Sequence, residues 1–156
     1  MGSNASGCVG SLFGQQNAQN GSIINVSVLN GILDAFSSYI GGLIGQQQNS
    51  IFIINSSVSQ VNISASSTTG FIGDSAFSVQ IINCTVSRTN VSGASLVGGC
   101  FGRFSSTLNA TKLRIQFTRV SGSFSVGLVI GSNTGTQNFT NSSSTSNFVK
   151  NVSRDE

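Results

Sequence analysis

A five-residue phrase returns five times along this chain: GSLFG at 10–14, GGLIG at 41–45, TGFIG at 69–73, GGCFG at 98–102 and GLVIG at 127–131. Its closing glycines, Gly14, Gly45, Gly73, Gly102 and Gly131, stand 31, 28, 29 and 29 residues apart. A repeat of that length is one supersecondary unit stacked on copies of itself. Other columns keep the same register. The tripeptide IIN recurs at 23–25, 53–55 and 81–83, and Val28, Val58, Val86 and Ile115 form an apolar file. A further file, read as the core ladder, runs through Leu33, Ile63, Val91, Val120 and Val149. These columns carry bulky residues, whereas chance in a chain rich in Asn, Ser and Gly would repeat the small ones.

Within each unit apolar and small polar residues alternate. Ile54, Ser56 and Val58 alternate with Asn55, Ser57 and Ser59. The same pattern sets Ile82, Cys84 and Val86 against Asn83, Thr85 and Ser87, and Leu113, Ile115 and Phe117 against Lys112, Arg114 and Gln116. Period two, with Val, Ile, Thr and Ser in the runs, predicts strands with one face buried. Units of about 29 residues with short strands predict an all-β fold, a right-handed parallel β-helix or solenoid of about five coils. The boundaries expected are a tail at 1–9, coils at about 10–40, 41–69, 70–97, 98–126 and 127–149, and a tail at 150–156. The stretch 132–147 loses most apolar positions, as a polar terminal cap would. The first coil has no equivalent, so one end is expected to be open. Asn25, Asn55 and Asn83 stand either as a corner ladder of stacked amides or as solvent-facing turn residues.

The segments GGLIGQQQNSIFIINSSVSQVNIS and TGFIGDSAFSVQIINCTVSRTNVSG resemble the GLUG repeat, and the resemblance extends from Gly10 to about Val149. GSLFG and GLVIG depart from it in lacking the double glycine. The resemblance implies a spacer or adhesive module of a large secreted or surface-attached protein, as in adhesin-like proteins and some surface peptidases, and no catalytic role.

Residue chemistry points the same way. The chain has no His, which removes the usual general base and imidazole metal ligands. Its carboxylates are Asp34, Asp74, Asp155 and Glu156; Asp34 and Asp74 occupy different places in the repeat and are not expected to form a catalytic or metal-binding pair. Cys8, Cys84 and Cys100 have neither metal spacing nor a disulfide framework, and Cys84 and Cys100 fall in core columns. No enzyme, cofactor or metal site is expected. Asn-x-Ser/Thr triplets are frequent, among them those at Asn25, Asn55, Asn62, Asn83, Asn90, Asn109, Asn138, Asn141 and Asn151, and alternating Asn, Ser and Thr in strands would generate them on its own. The opening MGSNAS fits an acylation pattern, although Lys and Arg are missing from residues 1–87 to support one lipid chain.

Charge is distributed unevenly. Residues 1–87 carry only Asp34 and Asp74, for −2, while residues 88–156 carry seven basic groups against Asp155 and Glu156, for +5. In a solenoid this becomes axial polarity, which is either an ordinary scatter of solvated charges or a feature that favours end-to-end stacking into a homo-oligomer or filament. Lys112, Arg114 and Arg119 cluster, but Phe117 falls on the inward phase and no nucleic-acid motif accompanies them, so no nucleic acid is expected as a partner. A surface glycan or protein ligand on one flat face is the alternative. It would call for an exposed aromatic row, whereas most Phe fall in core columns. No run of 18 apolar residues exists, so no transmembrane segment is expected. No signal peptide is visible. The location expected is extracellular or at the cell surface.

Overall fold

The computed structural model describes residues 7–35 and 39–151. Among them there is no helix, and every strand pairing is parallel. The fold is a parallel β-solenoid of about five turns with a spacing of about 29 residues. The third turn illustrates the unit. Its strands are Thr68–Ser75, Val79–Ile82, Thr85–Ser87 and Asn90–Gly98, the last running on towards the fourth turn. Val79–Ile82 lies between Ile51–Ile54 below and Thr107–Thr111 above, each residue opposite its counterpart one period away. Among the described residues strand pairing runs from Cys8 to Asn151.

Two corners shape each turn. One is Asn25, Asn55, Asn83, Lys112 or Asn141; the other is Asn30, Gln60, Arg88, Phe117 or Ser146. All ten have φ between 50° and 58°, the left-handed region that Asn tolerates and other side chains enter at a cost. A corner of this kind breaks strict alternation by setting two consecutive residues outward. Ile82 and Asn83 are both exposed, while Ile81 and Cys84 are buried. Simple alternation therefore misplaces Ile54 and Ile82, which lie on the outer side; the inward residues are Ile53 and Ile81. Phe117 is corrected for the same reason. It sits on the second corner and is 58% exposed, while its neighbour Thr118 is buried.

The recurring glycines stack in two files. Gly14, Gly45, Gly73, Gly102 and Gly131 stand over one another between matched neighbours. A Cβ on Gly73 would lie 2.5 Å from the Gly45 carbonyl oxygen and 2.8 Å from that of Ile40. A second file holds the opening glycines, among them Gly10, Gly41 and Gly70; a Cβ on Gly41 would lie 1.8 Å from the Ile44 oxygen. The phrase thus folds the chain into a tight arch where backbones from two coils approach, and only hydrogen fits in the gap. Between the two files, Leu43, Phe71 and Cys100 point into the core and are buried.

The core fills the lumen from the second to the fourth turn, with Ile40, Ile53, Phe71, Ile81, Phe101, Phe104, Leu108 and Val120 all fully buried. Phe101 and Phe104 meet edge to face, with ring centroids 5.1 Å apart.

Candidate functional site

Parallel stacking sets each residue beside the residue one period away, so polar side chains become rungs between coils. The strand pairings place Leu33 against Ile63, Ile63 against Val91, Val91 against Val120 and Val120 against Val149. Asn83 Nδ2 donates to Asn55 Oδ1 at 2.9 Å on the exposed first corner. Asn25 holds the same corner place in the first turn, donating its backbone N–H to the Ile54 carbonyl at 3.0 Å. Two further amide rungs, which sequence reading did not single out, join Asn90 to Asn62 at 2.8 Å and Asn138 to Asn109 at 3.0 Å. Ser27 and Ser57, and Ser87 and Ser59, are each linked at 3.1 Å. Thr89 and Thr118 meet inside the rod at 3.3 Å.

A strongly polar cluster around Asp74 follows the same rule. Asp74, on the glycine strand Thr68–Ser75, is 1% exposed. Arg103, one period later on Phe101–Phe104, grips it through Nε at 2.6 Å and through its terminal nitrogen at 2.8 Å. Gln46, one period earlier, donates to the same carboxylate at 3.2 Å. The guanidinium also lies over Tyr39, 5.7 Å from the ring centroid. The bond to Asp74 raises the pKa of Arg103 above its already high ordinary value. Asp34 sits elsewhere, exposed on the strand Ile32–Ala35, so the structure does not bring the two aspartates together.

Cys84 and Cys100 are buried, and burial pushes both thiols up, away from the reactive thiolate. Cys84 Sγ lies 3.4 Å from the Ile53 and Ile82 carbonyl oxygens, in the inward place that Ser56 fills one coil earlier. Cys8 is partly exposed, and its Sγ lies 3.4 Å from Gln46 Oε1.

Among the described residues, most phenylalanines are not where core columns would put them. Phe13, Phe77, Phe117, Phe124, Phe139 and Phe148 are exposed, against Phe71, Phe101 and Phe104 fully buried. Each exposed ring stands at a different place in the repeat, and Phe117 and Phe148 line one depression together with Arg119. Arg119 covers Phe148 at 5.6 Å. Lys112, Arg114 and Arg119 are all exposed. Arg154, Asp155 and Glu156 lie outside the described residues. The axial charge polarity is weaker than the residue count implies, because Arg103 neutralises Asp74.

The fifth turn binds down onto the fourth through polar side chains. Asn147 accepts from the Thr118 backbone N–H at 2.8 Å and donates to the Ile115 carbonyl at 3.0 Å. Ser142 accepts from the Leu113 N–H at 3.1 Å. The file of Val86 and Ile115 ends in Ser144, and beside it a hollow of about 180 Å³ opens among Leu113, Ile115, Val129 and Phe139. At the opposite end Leu12 and Phe13 are 39% and 44% exposed. No protein-family model, no curated protein and no solved structure matches this chain. No helix among the described residues is long and apolar enough to cross a membrane.

Proposed function

We infer that this chain is a non-enzymatic structural and adhesive repeat module of a secreted or cell-surface protein. The observation that carries the reading is where its reactive groups go. The buried carboxylate of Asp74 is taken up by Arg103 and Gln46, two thiols are sealed in the core, and exposed amides pair with amides one coil away. Asp74, Arg103, Gln46 and the paired amides serve as rungs between coils. Such a molecule transmits force and holds distance, because every coil is tied to the next by backbone ladders on all its sides. Its first and last coils lie at opposite ends of the axis, as a spacer requires. The resemblance to GLUG repeats supports the setting outside the cell or at its surface.

The test is mechanical. Placed between two fluorescent reporters, the chain should hold them at one narrow distance until a cooperative unfolding transition. A broad distance distribution under native conditions would overturn the spacer reading.

A further inference from the structure

One strip of the rod is different at its two ends from what it is in the middle. Each turn presents three consecutive residues of its returning strand, in register from coil to coil: Ile32-Leu33-Asp34, Asn62-Ile63-Ser64, Asn90-Val91-Ser92, Arg119-Val120-Ser121 and Phe148-Val149-Lys150. The central residue points inward. The flanking two point outward, and in the second and third turns they are Asn and Ser. At the first turn they are Ile32, 78% exposed and the most exposed large apolar side chain among the described residues, and exposed Asp34. At the fifth they are Phe148, 53% exposed, and exposed Lys150.

The end strands also correspond. Phe13–Gln16, Gly21–Ile24, Ser27–Leu29 and Ile32–Ala35 close one end. Ile130–Asn133, Thr136–Thr140, Ser143–Thr145 and Phe148–Asn151 close the other. Among the described residues each of these strands has a neighbour on one edge only, leaving a row of unpaired backbone groups that templates a further strand.

We propose that a second copy of this chain docks head to tail, its first turn on the fifth turn of its neighbour, with every column continued through the joint. The proposal rests on the structural-module reading and supplies its partner. In that register Ile32 lies beside Phe148, Leu33 beside Val149, and Asp34 beside Lys150. Inside, Leu12 follows Val129 and Val28 follows Ser144, which covers the hollow at the fifth turn, while Ile23, 3% exposed, is already covered within its own chain. A shift of one residue would turn the apolar places outward along the whole strand. A shift of two would set Ile32 against Lys150. The contact joins two different surfaces by a translation along the axis, so it does not close on itself and generates a filament.

Sedimentation velocity at low salt, over a range of concentrations, tests this. The chain should associate increasingly with concentration. D34K or K150D alone should weaken association about tenfold, and the double reversal D34K/K150D should restore it. I32E should weaken it at any ionic strength. All three side chains are exposed, so the variants should keep the wild-type circular dichroism and melting temperature. A chain that stays monomeric to about 1 mM, or single reversals without effect, would overturn the proposal. So would stronger association of D34N or K150A, because charges at sheet edges also serve to repel unwanted strands. A rigid reporter pair with no association would leave the spacer reading standing and remove this one; a flexible chain would remove the spacer reading itself.

Discussion

The third and fifth turns occupy the same places on one lattice, yet one is full and the other is not. In the third, Ile81, Val86 and Val91 are at most 1% exposed. In the fifth, the same columns hold Phe139 and Val149, both 43% exposed, and Ser144. Phe139 is larger than Ile81 and still covers less of itself. Burial in a solenoid is supplied largely by the coils on either side, and the fifth coil, with one neighbour, keeps much of its apolar face in water. Polar residues that would be misplaced in a middle turn serve the last one, where Asn147 and Ser142 satisfy the backbone below.

The contrast breaks most visibly at the glycine files. Gly73→Ala puts a methyl group 2.5 Å from a backbone oxygen that has no room to retreat. A loss above about 4 kcal/mol is expected, with no cooperative transition remaining in a urea melt. A loss under about 1 kcal/mol would mean that the arch is looser than the close approach implies. One column then separates middle from end. At concentrations low enough to keep the chain monomeric, Ile81→Ala should cost about 3–4 kcal/mol, the ordinary price of a core cavity, whereas Phe139→Ala should cost about 1 kcal/mol because its ring is then half in water. Equal costs in chemical denaturation of the monomer would contradict the difference between middle and end. The smallest effect is a gain. Phe117 holds a left-handed corner with its ring in solvent, while Asn fills that corner file in the first turn. Phe117→Asn should therefore stabilise the rod by about 1 kcal/mol in the same melt.

Much of this was legible beforehand. The spacing of the closing glycines announces the stacked coil, because a backbone-to-backbone approach permits no other residue and so repeats faithfully. The file through Leu33, Ile63, Val91, Val120 and Val149 was readable for a related reason: apolar side chains of similar size must follow one another inside the lumen. The outward set was harder to see. Alternation assigns Ile54, Ile82 and Phe117 to the core, but a left-handed corner shifts the phase by one residue, and nothing in the identity of Phe117 or Lys112 signals that conformation. The salt bridge was hidden as well. Asp74 and Arg103 are 29 residues apart, one full period, yet each occupies its place only once, so the file that joins them looks like Gln46, Asp74 and Arg103 with no common chemistry. The strip that distinguishes the rod's ends was obscured by the same feature, since it departs from the repeat rather than following it.

Selective methyl labelling of Leu, Val and Ile, followed by nuclear Overhauser measurements, tests the winding itself. Stacked turns predict close contacts in strict order, Leu33 to Ile63, Ile63 to Val91 and Val91 to Val120, and none between Leu33 and Val120, which three coil steps hold about 14 Å apart. Contacts out of that order, or the absence of those three, would contradict the solenoid.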